Sequence, residues 1–112
     1  MKRIYKALFY SIDGIISAWR DEPAFRQEVF LAILMIPAAF YFAPDKISLI
    51  LMIGSILMVF CAEIINTSIE AVVDRFGDEI HPLSKKAKDT ASAAVLIALL
   101  NAGIVWAVIL FF

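Results

Sequence analysis

Four polar residues in the middle of the chain recur at a spacing that would place them along one face of a helix. They are separated by three, four and four positions and are Glu63, Asn66, Glu70 and Asp74. We call this set the acidic stripe, because positions three and four apart share a helical face. It continues without a break from an apolar run over residues 47–61. Carboxylates at membrane depth are costly and usually face protein or water, so the acidic stripe is a candidate functional site.

Positive charge follows the acidic stripe a short distance along the chain. Lys85, Lys86 and Lys88 lie beside Asp89. Acids on one side and ammonium groups on the other suit a metal-bound polyphosphate, which phosphoryl transfer requires to be held and neutralised. Magnesium prefers one or two protein carboxylates together with phosphate oxygens and water. The residue types therefore favour phosphate chemistry.

The carboxylates that suit magnesium differ in predicted depth from the one that suits proton transfer. Glu70, near the end of the second apolar segment, and Glu22, in a charged hinge, could each supply one metal ligand. Glu63 lies about 10 Å deeper by helical rise, where the polar head of a lipid would meet it. A carboxylate there suits a general base acting on a glycerol hydroxyl. Asn66 can orient either group, and Lys88 would meet phosphate as a point charge.

The helices that must position these residues follow from the apolar pattern. Residues 1–20 carry apolar side chains on one side of a helix and Lys2, Arg3 and Lys6 largely on the other, which predicts an amphipathic helix along a membrane surface. Three apolar segments follow, each read as a helix that crosses a bilayer. They cover residues 23–43, 47–74 (with a cytoplasmic extension) and 87–112. The predicted fold is all-α, with one surface helix and three transmembrane helices in a single membrane domain over residues 1–112.

The distribution of charge predicts how this domain is oriented. The chain is 62% hydrophobic, and its ten basic and eleven acidic residues nearly balance, so nothing points to nucleic acid. Five basic residues precede the first uninterrupted apolar run, which begins at Val29, and four lie over residues 75–88, against Lys46 alone in the other connection. By the positive-inside rule the N-terminus and the lysine-rich connection are cytoplasmic. We therefore expect the acidic stripe to end where cytoplasmic nucleotides can reach it.

Other uses of the acidic stripe stay open on residue chemistry alone. The glycines are scattered at positions 14, 54, 77 and 103, so a nucleotide site here would not be a P-loop. A proton-coupled transport site and a structural polar network also place carboxylates within a membrane. A small proton-coupled transporter would have four apolar spans, whereas three are predicted here. A non-catalytic membrane subunit is disfavoured, because Glu22, Glu70 and Lys88 all reach the predicted cytoplasmic face.

The segment over residues 63–92 resembles the signature of the prokaryotic diacylglycerol kinases, which are small integral-membrane lipid kinases. Upstream residues extend the resemblance over nearly the whole chain. The stretches that carry it are Glu63-Ile-Ile-Asn66-Thr-Ser-Ile-Glu70, Val73-Asp74-Arg75, His81-Pro-Leu-Ser, Ala87-Lys88-Asp89 and Glu22-Pro-Ala-Phe-Arg26-Gln27-Glu28.

The resemblance implies a homotrimer of three-span subunits with active sites between neighbouring subunits, in the bacterial inner membrane, using ATP and Mg²⁺. Carried over position by position, Glu63 would be the catalytic base and Asn66 a second catalytic-site residue. Glu22 and Glu70 would hold Mg²⁺. The other residues of the nucleotide site would be Arg3, Tyr10, Glu79, Ile80, His81, Lys88 and Asp89. The residues that contact lipid, besides Glu63, would be Arg3, Ile16, Ser17, Ala18, Trp19, Ser92 and Trp106.

Two branches of the family differ in the lipid that they phosphorylate. Gram-negative enzymes convert diacylglycerol to phosphatidic acid, and Gram-positive enzymes prefer undecaprenol. Two stretches and the N-terminal helix look more like the diacylglycerol branch; the stretches are Arg26-Gln27-Glu28 and Val73-Asp74-Arg75-Phe-Gly77-Asp-Glu79. Ala91 departs from it, because a glycine is associated with this position in that branch. Diacylglycerol is therefore the predicted substrate, and undecaprenol is the alternative.

Overall fold

The computed structural model describes residues 1–77 and 79–112, and within these ranges the chain forms four α-helices. They are α1 (Lys2–Asp21), α2 (Pro23–Phe42), α3 (Lys46–Asp74) and α4 (Pro82–Phe111). In this described part, α2, α3 and α4 are long and apolar enough to cross a membrane. The prediction of an all-α chain with three such helices is confirmed. The surface position of α1 and the homotrimer stay predictions.

The junction between α1 and α2 is a single extended residue, Glu22, with φ −117° and ψ 103°. Pro23 follows at the first position of α2, where its missing N–H costs no hydrogen bond. The guanidinium of Arg26 donates to the carbonyl oxygens of Trp19 at 2.8 Å and Arg20 at 2.9 Å. Because the last carbonyls of a helix have no partner within the helix, these bonds tie the end of α1 to α2.

The connection between α3 and α4 differs from the predicted segments at the start of α4. Helix α3 ends at Asp74, and Gly77, the predicted helix stop, follows with φ +86°, a conformation that glycine adopts without strain. Helix α4 begins at Pro82, earlier than the predicted segment over residues 87–112. Proline suits the first turn, and His81 Nδ1 accepts a hydrogen bond from the Leu83 N–H at 3.0 Å. The predicted His81-Pro82 loop is therefore the start of the helix.

The acidic stripe extends the buried seam of α3. The buried residues of this helix are Met52, Ser55, Ile56, Val59 and Glu63, and three- or four-residue steps from Glu63 lead to the half-buried Asn66 and Glu70. Helix α4 packs along α3, and α2 packs against α3 through buried residues seven positions apart: Phe25, Ala32 and Ala39. The Phe25 and Phe60 rings lie 5.6 Å apart between centroids. Packing therefore directs Glu63 into the contact between helices.

Candidate active site

The acidic stripe is held within the helix bundle at its deep end and becomes more exposed along α3. Glu63 is buried with 8% of its surface exposed, Asn66 and Glu70 are half-buried, and Asp74 is exposed. The Asn66 amide nitrogen donates to Glu70 Oε1 at 3.1 Å. Side chains four apart on a helix are neighbours, so this bond orients the Glu70 carboxylate along the stripe.

The extended backbone at Glu22 brings its carboxylate towards the stripe. Glu22 is half-buried, and burial raises the pKa of its carboxyl above the ordinary range. The negative charges of Glu70 and Glu63 raise this pKa further, as nearby like charges do. The two predicted magnesium ligands and the predicted base are thus close enough to interact electrostatically.

A carboxylate that sequence analysis gave no role, Glu28, lies beside Glu63 at the contact between α2 and α3. Its Oε2 atom is buried and has no hydrogen-bond partner within residues 1–77 and 79–112. The residue belongs to the buried face of α2, three positions after Phe25 and four before Ala32. The same spacing in the sequence could have indicated that Glu28 lies on the face of α2 that packs against α3.

A polar cleft of about 350 Å³ lies where α3 ends and α4 begins. It contains five of the predicted nucleotide residues, Glu79, Ile80, His81, Lys88 and Asp89, and its other lining residues are Val73, Asp74, Gly77, Ser84 and Lys85. We call this site the polar cleft. The structure therefore brings these five predicted nucleotide residues together at the outer end of the acidic stripe.

Two ion pairs lie at the polar cleft. Lys88 Nζ lies 2.7 Å from Asp74 Oδ1 and joins α4 to the end of α3. Lys85 Nζ lies 2.5 Å from Asp89 Oδ2, one turn away on the same helix. Both pairs are exposed to solvent. Ammonium groups that are accessible in this way can also meet phosphate oxygens.

The other two predicted nucleotide residues lie on α1. Arg3 and Tyr10 are exposed and belong to its first half. Neither lines the polar cleft in the part of the chain that the structure describes. Glu22, where α1 meets α2, follows the last residue of α1 and is therefore at the other end of this helix from Arg3.

An apolar groove of about 530 Å³ lies between α1, α2 and α3. Its lining residues are Ile15, Ile16, Trp19, Phe25, Val29, Leu57, Phe60 and Ile64, and we call it the apolar groove. Ile16 and Trp19 are predicted lipid contacts. Ser17 donates its hydroxyl hydrogen to an Asp21 carboxylate oxygen at 3.4 Å, and Ala18 is buried with 2% of its surface exposed.

The two predicted lipid contacts on α4 lie elsewhere. Ser92 is exposed in the first half of the helix. The Trp106 indole N–H donates to the Met52 carbonyl oxygen at 3.3 Å and to the Ser55 hydroxyl at 3.2 Å. Ser55 precedes Glu63 by eight positions, or about 12 Å of helical rise. Trp106 thus joins α4 to α3 at a distance from the acidic stripe.

Similarity to known proteins identifies the family. The family model described as "Prokaryotic diacylglycerol kinase" matches residues 9–110. The chain belongs to the prokaryotic diacylglycerol kinase family. Diacylglycerol kinases of Haemophilus influenzae and Escherichia coli K12 are 52% and 48% identical to it, over 92% and 96% of this chain and 87% and 88% of their own length. A diacylglycerol kinase of Helicobacter pylori is 50% identical over 94% of this chain and 82% of its own.

Membership of the prokaryotic diacylglycerol kinase family confirms the resemblance predicted from the 63–92 segment. A kinase family implies a nucleotide phosphate donor. Membership of this family, together with three helices able to cross a membrane, also fits a lipid substrate.

The acidic residues fit a divalent cation shared with a nucleotide. Within residues 1–77 and 79–112, no group of three or more His, Cys, Asp or Glu side chains is arranged to hold a metal by itself. Magnesium needs only one or two protein carboxylates when phosphate and water complete its shell, which Glu22 and Glu70 could supply. Asn66 Oδ1, buried and without a hydrogen-bond partner in the described chain, offers a further polar atom beside Glu70. A cation would also relieve the like-charge repulsion around Glu22.

Proposed function

We propose that this protein is an ATP-dependent lipid kinase that transfers the γ-phosphoryl group of ATP to the primary hydroxyl of diacylglycerol and so makes phosphatidic acid. The observation that carries the proposal is the order of three features along α3. Leu57 and Phe60 line the apolar groove, the acidic stripe begins at Glu63, and its last member, Asp74, lines the polar cleft. A lipid tail, a carboxylate and a polyphosphate can therefore meet along one helix.

Glu63 acts in this proposal as the general base. The hydroxyl oxygen of the lipid attacks the γ-phosphorus, the bond from that phosphorus to the β,γ-bridging oxygen breaks, and the hydroxyl proton passes to the Glu63 carboxylate. Burial beside the apolar groove excludes water that would compete for the phosphoryl group. Asn66 orients Glu70 through their hydrogen bond.

Glu22 and Glu70 are the proposed magnesium ligands. A bound Mg²⁺ would supply charge neutralisation on the phosphate oxygens. The electrostatic proximity of the two carboxylates supports this role. Lys88 would hold a phosphate group in the polar cleft. Arg3, Tyr10, Glu79, Ile80, His81 and Asp89 are the other proposed nucleotide residues.

The lipid would lie in the apolar groove with its hydroxyl towards Glu63. Ile16 and Trp19 line this groove and support the proposed lipid contacts on α1. The further proposed contacts, from family resemblance, are Arg3, Ser17, Ala18, Ser92 and Trp106.

The proposed assembly is a homotrimer in the bacterial inner membrane, with α1 along its cytoplasmic surface and active sites shared between subunits. Large apolar side chains are exposed on all four helices of the described chain. Lipid and neighbouring subunits can cover such surfaces. In this arrangement the N-terminus and the polar cleft face the cytoplasm, as the basic residues predict.

The experiment that tests the function is transfer of labelled phosphate from ATP in mixed micelles that contain diacylglycerol or undecaprenol. Transfer chiefly to diacylglycerol supports the proposal. Transfer chiefly to undecaprenol would leave the residue roles intact and change the substrate, since both lipids offer a primary hydroxyl. Absence of transfer to either lipid, with magnesium and folded protein, would contradict the kinase proposal and favour proton-coupled transport.

A further inference from the structure

The ion pair between Asp74 and Lys88 is the polar contact that joins the end of α3 to α4 across the polar cleft. The two residues are 14 positions apart, and Lys88 Nζ donates a hydrogen bond to Asp74 Oδ1 at 2.7 Å. Both line the polar cleft. The second pair, between Lys85 and Asp89, lies within α4 and does not join the two helices.

Fold stability gives little reason for a carboxylate at position 74. Asp74 is the last residue of α3, and a negative charge at a helix C-terminus opposes the helix dipole. The pair is also exposed, with 65% of the Asp74 and 44% of the Lys88 side chain accessible, and exposed ion pairs stabilise folds weakly. The position of the Asp74 carboxylate instead suits a role in holding the Lys88 side chain in one place.

Lysine is a flexible point charge on a four-carbon stem, so ordering it at a phosphate costs conformational entropy. The ammonium group has three N–H donors. One donor satisfies Asp74, and the others remain free for phosphate oxygens in the polar cleft. Asp74 can therefore hold Lys88 in place without using up its capacity to bind a polyphosphate.

We propose that Asp74 is a positioning residue that holds the Lys88 ammonium towards the polar cleft and so prepares it for the phosphates of a nucleoside triphosphate. This inference rests on the proposed function, in which Lys88 binds nucleotide. This positioning role differs from a competing role, in which phosphate would have to displace Asp74 from Lys88 before it could bind. The two roles predict opposite effects when the carboxylate is neutralised.

Equilibrium dialysis of radiolabelled ATP with magnesium, against the full-length protein in detergent micelles, tests the inference. Asp74→Asn should weaken binding about two- to tenfold, the scale of ordering one long side chain. The KM for ATP should rise by the same factor, with kcat and the KM for lipid nearly unchanged. Asp74→Glu keeps the charge and should restore most of the affinity. Asp45→Asn, a matched charge change at the opposite end of α3, should bind ATP like the wild type.

The decisive comparison repeats Asp74→Asn in a Lys88→Met background. If Asp74 acts through Lys88, the double variant should bind ATP as Lys88→Met does, with no further loss. Equal losses in both backgrounds, or tighter binding by Asp74→Asn, would overturn the inference. Should Asp74→Asn not fold, Asp74→Ser replaces it in the same comparison. Wild-type protein that binds no ATP at all would instead overturn the proposed function, so the two failures are distinguishable.

Discussion

The Asn66 amide nitrogen donates a hydrogen bond to the Glu70 carboxylate at 3.1 Å, one helical turn along α3. This bond joins the two half-buried members of the acidic stripe, which lie between the buried Glu63 and the exposed Asp74. It also fixes which Glu70 oxygen is occupied within the protein. The other oxygen is left available for a cation, and a change at either residue should affect how metal is used.

Glu70→Gln should raise the magnesium concentration needed for half-maximal activity, because an amide is a weaker ligand than a carboxylate for a hard cation. Asn66→Ala should shift the magnesium requirement in the same direction but less, since Glu70 would lose its orientation and keep its charge. Titration of initial rate with magnesium at saturating ATP measures both. A magnesium dependence unchanged in Glu70→Gln would show that this residue is structural.

Arg26→Gln should raise the KM for diacylglycerol several-fold. The guanidinium ties the Trp19 and Arg20 carbonyls to α2, and Trp19 forms part of the apolar groove. Loss of the tie should loosen that wall of the groove and leave the polar cleft intact, so the KM for ATP should change little. Arg20→Gln is the matched control, since it removes the same charge from a side chain paired with Asp21. Equal effects of the two substitutions would contradict the anchoring role.

Asp45→Ala should lower the thermal stability of the protein at neutral pH more than at acid pH. The Ser48 N–H donates to the Asp45 carboxylate at 2.7 Å, and this bond holds the pKa of Asp45 below its ordinary range. A lowered pKa means that the ionised form stabilises the fold. The contribution is present above the ordinary pKa of about 4 and is lost as pH falls through the lowered value.

Thermal unfolding in detergent at several pH values checks this sign. Asp45→Asn caps the helix without titrating, so its melting temperature should follow the wild type at neutral pH. A deficit in Asp45→Ala that is as large in strong acid as at neutral pH would exclude the titrating cap.

Much of the fold follows from the sequence because long apolar runs leave few alternatives. Charged or turn-forming residues bound these runs, as at Glu22-Pro23 and Asp45, and the observed helices begin close to them. The early start of α4 at Pro82 was missed, because a His-Pro pair is typical of both a loop and a helix start. The hydrogen bond that the Leu83 N–H donates to His81 Nδ1 resolves that ambiguity, and it is visible only in the structure.

The stripe on α3 could be predicted because its residues share one helix and a regular spacing. Contacts between helices could not, since they depend on how the helices cross. Glu28 lies beside Glu63 because the face of α2 that carries Phe25 and Ala32 packs on α3. Lys88 reaches Asp74 because the chain turns near Gly77. No regular spacing in the sequence connects the two residues of either pair, so neither contact could be predicted from it.

The central claim is that Glu63 removes the proton from a lipid hydroxyl during phosphoryl transfer. The most direct measurement compares initial rates of labelled phosphate transfer from ATP to diacylglycerol for the wild type and Glu63→Gln, together with ATP binding by both. We expect the wild type to make phosphatidic acid and the variant to lose at least about a hundredfold in rate, the scale of general-base catalysis, while it binds MgATP normally. Transfer by Glu63→Gln at the wild-type rate would contradict the assignment of Glu63 as the base.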